Sequence, residues 1–130
     1  MKRVMVDTNV AVDLLMQRPR FVEDARRIFY DKSLKICIAT NSVTDVYYIV
    51  AKNSNKTTAH AVVSDLLMLC EILPVTGEDC RQALSSPISD YEDAILDECA
   101  ARNNIKYLIT RDKTFANSHT KSDVRLAADF

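Results

Sequence analysis

The sequence predicts an α/β three-layer sandwich over residues 1–130, with a parallel five-stranded sheet between two layers of helices. Short apolar runs rich in Val and Ile alternate with longer segments of helical periodicity, the pattern of parallel strands joined by crossover helices. The 130 residues, 48% of them hydrophobic and 27% charged, suffice for one core in one domain. No apolar run approaches the roughly 20 residues that a membrane span requires.

The first half of the chain contains two strand candidates and three helix candidates. Residues 3–6 are the first strand, and Asn9 stands where it can cap the helix that follows. The segment 20–32 carries apolar side chains at helical spacing and predicts a second helix. The next strand and helix are predicted over 35–39 and 42–53, and both end at polar turns.

The second half repeats the alternation. A helix is predicted over 57–70, and Thr76 is placed to cap a short helix that follows the third strand. Ser89 and Glu92 match a capping box for a helix that runs to about Asn103. The remaining strand candidates cover 71–75, 107–110 and, with a weaker pattern, 123–126.

Composition excludes several kinds of site. Gly77 is the only glycine, so the chain can build neither a P-loop nor a dinucleotide-binding turn. The net charge of −1 gives no overall basic field. The N-terminus lacks the apolar region of a signal peptide, so we expect a cytoplasmic location. The cysteines form no C-x-x-C pair and are expected to be buried, reduced thiols: Cys37, Cys70, Cys80 and Cys99.

Four acidic residues stand where the predicted elements meet. Asp7 directly follows the first strand, and Asp112 follows the fourth; the carboxyl ends of parallel strands are where ligands bind in open α/β sheets. Asp45 and Asp93 lie early in predicted helices. A cavity lined by these carboxylates needs a cation, and oxygen ligands suit Mg²⁺ or Mn²⁺. The arrangement therefore indicates metal-dependent phosphodiester chemistry.

Each acid also has a purely structural interpretation. Asp7-Thr8-Asn9 is a reasonable capping turn, and Asp45 can support a helix start together with Ser42. Acids are common in the first turn of a helix, which accounts equally for Asp93. On that helix we expect Asp90, Asp93 and Asp97 to share one face, and Glu92 to point elsewhere as part of the cap.

The order and positions of these pieces together resemble the PIN domain, the fold of many metal-dependent ribonucleases, including VapC-like toxins. The matching segments are Val4-Met5-Val6-Asp7-Thr8-Asn9, Asp90-Tyr91-Glu92-Asp93-Ala94 and Tyr107-Leu108-Ile109-Thr110-Arg111-Asp112-Lys113-x-Phe115. The resemblance spans almost the whole chain. It implies the strand order 3-2-1-4-5 and an endoribonuclease that uses Mg²⁺ or Mn²⁺ on single-stranded RNA. It also implies an antitoxin partner, if the protein is VapC-like, and a homodimer.

The resemblance also assigns roles to residues. Asp7, Asp93 and Asp112 are expected to bind the metal, with Asp45 as a further ligand or as the base that orients water. Hydrogen bonds around the acids, or contacts with phosphate, are expected from Thr8, Asn9, Thr110 and Arg111. Two further candidates for phosphate contacts are Lys113 and Arg20.

Two departures from the family pattern affect the site. The second acidic position is usually Glu, and Asp45 is shorter by one methylene. Many relatives also carry an acid shortly after the position of Asp112, where this chain has Thr114, Ala116 and Asn117. Because of these departures, a PIN-fold module that binds RNA or protein without cleaving RNA remains an alternative function.

Three further alternatives remain at this point. In a haloacid-dehalogenase-like phosphotransfer enzyme Asp7 would be the nucleophile, although Asn9 stands where such enzymes usually carry a second Asp. The chain also suits a structural α/β interaction module. The apolar residues of 59–70 predict either a dimer interface or core packing.

Overall fold

The computed structural model describes residues 1–130 and contains five strands and seven α-helices. In the first half these are β1 (Lys2–Val6), α1 (Thr8–Leu15), α2 (Val22–Phe29), β2 (Leu34–Ala39), α3 (Thr40–Asn53) and α4 (Lys56–Leu69). In the second half they are β3 (Glu71–Leu73), α5 (Gly77–Ala83), α6 (Tyr91–Arg102), β4 (Tyr107–Thr110), α7 (Lys113–Ala116) and β5 (Val124–Leu126), followed by a 3₁₀ turn (Ala127–Asp129).

The five strands form one parallel sheet in the order β3-β2-β1-β4-β5, which confirms the predicted fold. Strand β1 is central, and Val6 pairs with Ile109 of β4 while Met5 pairs with Cys37 of β2. Its apolar residues are completely buried because helices cover both faces of the sheet. This topology places the ends of β1 and β4 side by side.

Alternate residues of β1 belong to the two halves of the core. Val4 and Val6 pack into a cluster with buried residues of α1, α2, α3 and α4. Met5 points to the opposite face and packs with residues of α6, among them Leu96 and Cys99. Alternation along a strand therefore produces the three layers. None of the helices is both long and apolar enough to span a bilayer.

Two predicted helix caps are wrong, and both errors concern the acids. Helix α1 begins at Thr8 and not after Asn9, because the Asp7 side chain accepts a hydrogen bond from the Thr8 amide at 2.7 Å. Helix α6 is capped by Asp90, whose Oδ1 accepts from the Asp93 amide at 3.0 Å. The predicted Ser89–Glu92 capping box does not form, which frees the Glu92 carboxyl for other contacts.

Other element boundaries shift for local reasons. Helix α3 begins two residues earlier than predicted, after Ala39 and without a side-chain cap, so Asp45 lies in its second turn and not beside a capping Ser42. Strand β3 ends before Pro74, which has no amide hydrogen to donate. The Thr76 cap is confirmed as a full capping box with Asp79.

The apolar residues of α4 mostly pack inward. Ala59 and Leu66 are completely buried in the core, whereas Leu67 and Met68 are 48% and 84% exposed near the helix end. Core packing therefore accounts for the inner face of α4, and only its C-terminal end presents apolar surface. All cysteines are free thiols, as expected, but Cys80 is only half-buried.

Candidate active site

Asp7 lies at the carboxyl edge of the sheet, between β1 and α1. Its side chain is 7% exposed, and its Oδ2 accepts a hydrogen bond from Thr110 Oγ1 at 2.9 Å. Because Thr110 ends β4, this bond ties the ends of the two central strands together. Thr110 Oγ1 also accepts from the Asp112 amide at 3.1 Å. One threonine thus fixes the positions of both acids.

Asp112 caps the short helix α7. Its Oδ1 accepts hydrogen bonds from the amides of Thr114 at 2.9 Å and Phe115 at 3.3 Å. These bonds form a turn toward Phe115 and leave Oδ2 of the carboxylate without a hydrogen bond. A carboxylate held by one oxygen is fixed in direction while the other oxygen stays available to a ligand.

The acids converge on one cavity of about 310 Å³, which we call the acid cavity. Five carboxylates line it, against a single cation, Arg18. The lining is Asp7, Thr8, Asn9, Val12, Arg18, Ile49, Asp90, Glu92, Asp93 and Asp112. Such an excess of like charge is unfavourable unless protons or a cation offset it.

Asp45 reaches this group through Glu92. The two carboxyls are close enough to interact, which brings Asp45 of α3 beside the acids of α6. The prediction that Glu92 points away is wrong: with Asp90 as the cap, position 92 of the helix faces the acids. Sequence reasoning missed this residue because the capping box was assigned one residue too early.

Asp97 does not join the acids, although it was predicted to share their face of the helix. It is 3% exposed, and its carboxylate accepts hydrogen bonds from the amides of Lys121 at 2.9 Å and Ser122 at 2.8 Å. Asp97 therefore anchors the loop that leads into β5, which is a structural role.

The crowding and burial of the acids raise several of their pKa values. Burial raises the pKa of Asp7, against the hydrogen bonds from Thr110 and Thr8. Burial also raises the pKa of Asp93 to about 7, and the neighbouring charges of Asp7 and Asp112 add to the effect. The pKa of Glu92 rises to about 8, first because of the hydrogen bond shared with Asp45 and then because of burial.

The donor set suits a hard divalent cation. All candidate ligands are oxygens, and Thr8 Oγ1 is buried at the cavity without a hydrogen-bond partner. No three carboxylates approach one point closely enough to form a ready coordination shell. Magnesium keeps several waters in its shell, so carboxylates spaced around a cavity of this size fit it through a mixture of direct and water-mediated contacts.

Arg111 faces away from the acid cavity. Its Nε and Nη2 donate to the two carboxylate oxygens of Asp13 at 2.6 and 3.2 Å, and Asp13 is 1% exposed. Only Nη1 is left for a phosphate. Asn9 Oδ1 accepts from the Arg111 amide at 3.3 Å and so positions the same segment. Sequence reasoning missed Asp13, although an acid within the apolar run of α1 indicates a buried group that needs a partner.

A family model described as PIN domain matches residues 3–114 of the chain. The chain belongs to the PIN domain family. Its acids at positions 7, 93 and 112 therefore stand on a fold that agrees in element order and topology with the expected one. The haloacid-dehalogenase-like alternative no longer applies. No match was found among curated proteins.

Solved PIN-domain structures share the fold of this chain at low sequence identity. VapBC2 from Rickettsia felis bound to a promoter DNA fragment has a TM-score of 0.72 at 16% identity, over 95% of this chain and 98% of that one. VapC20 from Mycobacterium tuberculosis, a toxin that cleaves the sarcin–ricin loop, has a TM-score of 0.73 at 16% identity, over 87% of this chain and 92% of that one. DNA-bound VapBC from Salmonella typhimurium has a TM-score of 0.73 at 17% identity, over 98% of this chain and 99% of that one.

Proposed function

We propose that this PIN domain is a divalent-metal-dependent endoribonuclease that hydrolyses phosphodiester bonds of single-stranded RNA. Acids from three separate parts of the chain line one cavity at the carboxyl edge of the sheet, and Asp45 from a fourth part interacts with Glu92 there; this arrangement supports the proposal. Asp7, Asp93 and Asp112 would hold Mg²⁺ or Mn²⁺, and Asp45 would act through water because its side chain is short. When bound, the cation supplies Lewis-acid charge for the scissile phosphate and an activated water.

The remaining residues orient the acids. Thr110 and the Thr8 amide hold Asp7 by its two oxygens, and the α7 amides hold Asp112. Ligands fixed by such outer hydrogen bonds keep their geometry during the reaction. Asn9 would help to hold the segment next to Asp112 in place, because its Oδ1 accepts a hydrogen bond from the Arg111 amide.

The carboxyl of Asp45 lies beside that of Glu92 and raises its pKa. Because its pKa is raised to about 8, Glu92 would keep its proton at neutral pH in the absence of a cation. Once Glu92 is deprotonated, the carboxylates of Glu92 and Asp45 would accept the proton of the attacking water. Asp45 is thus a base that acts together with Glu92.

Single-stranded RNA is the substrate that this open cavity would admit. Its backbone is flexible and its bases are unpaired, so a phosphate can reach acids at the bottom of a cleft. Lys113 and Arg20 are exposed cations that line a neighbouring cavity and would contact flanking phosphates, with Arg111 limited to Nη1. We expect the protein to act in the cytoplasm, where such RNA is found.

The neighbouring structures support a toxin of a toxin–antitoxin pair as the biological setting. Several of them are VapBC or toxin–antitoxin complexes, including one from Klebsiella pneumoniae at 19% identity and a TM-score of 0.72. We therefore propose an antitoxin protein as a partner. We also propose a homodimer, for which the exposed end of α4 offers Leu67 and Met68.

A second candidate function is a PIN-fold module that binds RNA or protein without cleaving. The spacing of the carboxylates, none of which forms a ready shell with two others, favours it. Cation binding without turnover would distinguish this module from the nuclease.

The test is cleavage of an end-labelled RNA pool with Mg²⁺ or Mn²⁺, with EDTA, and with Asp7→Asn. Asp65→Asn, which removes an exposed acid on α4, is the matched control. We expect metal-dependent fragments from the wild type and from the control, and none from Asp7→Asn. Full cleavage by Asp7→Asn would disprove the assigned site, and no cleavage by the wild type would disprove the nuclease.

A further inference from the structure

A second cavity, of about 420 Å³, lies on a different face of α1 from the acid cavity. We call it the Phe21 cavity, after the half-buried aromatic ring that forms one wall. Its floor is apolar and consists of Val10, Ala25, Leu126 and Ala127. A cavity of this size matches those that hold small ligands in proteins, about 300–1,000 Å³.

The segment 111–113 separates the two cavities. Asp112 lines the acid cavity, whereas its neighbours Arg111 and Lys113 line the Phe21 cavity. A chain-like ligand that reaches Asp112 therefore has the mouth of the Phe21 cavity directly beside it. This adjacency makes the Phe21 cavity a natural position for the next unit of the same ligand.

Phe21 offers a flat aromatic surface with fixed cationic neighbours. The Arg111 guanidinium lies 3.8 Å from the ring centroid, and that of Arg20 lies 5.4 Å from it. Arg111 is held in place by its two hydrogen bonds to buried Asp13, so this side of the wall is rigid. A rigid ring beside planar guanidinium groups is the surface on which nucleobases stack.

The mouth of the Phe21 cavity carries two cations that form no ion pair within the protein. Arg111 is paired with Asp13, and Asp24 at the rim is paired with Arg27 at 3.2 Å. Arg20 and Lys113, both exposed, have no acidic partner. An apolar floor, an aromatic wall and two free cations match the base and the phosphate of one nucleotide.

We propose that the Phe21 cavity binds one nucleotide of the RNA strand, next to the phosphate held at the acid cavity. The base stacks against the pair formed by Phe21 and the Arg111 guanidinium that lies over its ring, and Arg20 and Lys113 contact the flanking phosphate. The proposal rests on the proposed function and adds to it a subsite that sets where the strand lies. An acidic protein segment is the competing ligand, and RNA is favoured because the two cavities share the wall formed by 111–113.

The experiment measures binding and not cleavage. A labelled single-stranded RNA, and a set of copies with one abasic nucleotide at each successive position, are titrated by fluorescence anisotropy in EDTA and again in Ca²⁺. The variants are Phe21→Leu, which keeps an apolar side chain but removes the ring, and the double variant Arg20→Gln, Lys113→Gln. Tyr30→Leu removes a 63% exposed ring at the end of α2 and serves as the matched control. Thermal unfolding verifies that every variant folds.

We expect an abasic nucleotide at one position to raise the Kd of the wild type by about tenfold. Phe21→Leu should raise the Kd of the intact RNA by about the same factor and abolish the effect of the abasic position, whereas Tyr30→Leu should change neither. The double variant should reduce the dependence of log Kd on log salt concentration by roughly 1.4, as expected for two lost phosphate contacts.

If Phe21→Leu behaves like Tyr30→Leu and the abasic profile is unchanged, the subsite is disproved and the cavity remains available to a protein ligand. The readout also separates the two proposals. An intact abasic profile in a protein that does not cleave RNA would disprove the nuclease and support the subsite. Cleavage of RNA without an abasic effect at any position would support the nuclease and disprove the subsite. A wild type that binds no RNA would disprove both proposals.

Discussion

The ion pair of Asp13 and Arg111 beside the acid cavity gives a quantitative prediction. Asp13 is 1% exposed, and its carboxylate accepts from Arg111 Nε at 2.6 Å and Nη2 at 3.2 Å. Arg111→Met keeps an unbranched side chain near the Phe21 ring but removes both donors. The variant therefore leaves a buried carboxylate with a single partner, Arg18, at 3.5 Å.

The expected loss of stability follows from burial and distance. Removing one partner of a fully buried ion pair costs about 3–5 kcal/mol. Arg18 is near enough to approach Asp13, and the Arg111 side chain is 27% exposed, so we expect a loss of about 2–3 kcal/mol in the free energy of unfolding. For a chain of this length that loss corresponds to a fall in Tm of roughly 8–12 °C.

Urea unfolding followed by circular dichroism measures this loss. Arg125→Met is the matched control, because its pair with Asp123 is 47% exposed on both sides and should contribute less than about 0.5 kcal/mol. A double-mutant cycle of Arg111→Met with Asp13→Asn should give a coupling of about 2 kcal/mol. Equal losses in Arg111→Met and Arg125→Met would refute the reasoning, and Arg111 would then be free to contact phosphate.

Three further predictions concern the acids. Because the pKa of Asp93 is raised to about 7 and that of Glu92 from 4.5 to about 8, the metal-free protein is more stable near pH 4.5 and loses that stability as the pH rises to 8. Glu92→Gln should raise the free energy of unfolding at pH 9 by about 1 kcal/mol, after allowance for solvent screening, and change it little at pH 4.5; urea unfolding at both values checks this. Mg²⁺ or Mn²⁺ should raise the Tm more at pH 8 than at pH 6, and equal shifts would count against binding by these carboxyls. Asp97→Asn should cost about 1–2 kcal/mol by weakening the loop at Lys121 and Ser122, with no change in the metal dependence of cleavage.

The positions of the strands follow from the sequence because burial on both faces leaves a simple pattern. The runs at 3–6 and 107–110 are apolar at almost every position, as central parallel strands are, and they pair at Val6 and Ile109. Once these two strands are neighbours, Asp7 and Asp112 must meet at the edge of the sheet. This part of the candidate site therefore follows from the strand pattern and the expected strand order.

The two wrong predictions of helix caps have a common cause, which is competition between neighbouring residues that can each cap a helix. Asp7 and Asn9 can each cap a helix, and so can Ser89 and Asp90, and the sequence pattern does not rank them. The choice depends on the backbone angles that the preceding strand or turn imposes. With Ser89 as the cap, the sequence pattern assigns the Glu92 side chain to the return hydrogen bond of a capping box; with Asp90 as the cap that bond is absent, and Glu92 lines the acid cavity.

Buried pairs escape sequence reasoning for a different reason. Asp13 and Arg111 are 98 residues apart in the sequence and meet only because α1 packs beside the end of β4. Local patterns carry no information on such a contact. The apolar neighbours of Asp13 show that a partner is needed, but they do not say which of several arginines supplies it.

The contrast between the two charged sites is the strongest argument for a ligand at the acid cavity. Around Asp13 the fold provides two arginines for one buried carboxylate, so the charge is offset within the protein. At the acid cavity the only cation beside five carboxylates is Arg18, which is already one of the two arginines paired with Asp13, and the pKa values of Asp7, Glu92 and Asp93 are raised. A sequence able to neutralise one buried acid has left Asp7 buried beside further carboxylates and without a cationic partner, at a cost in stability that a bound cation would remove.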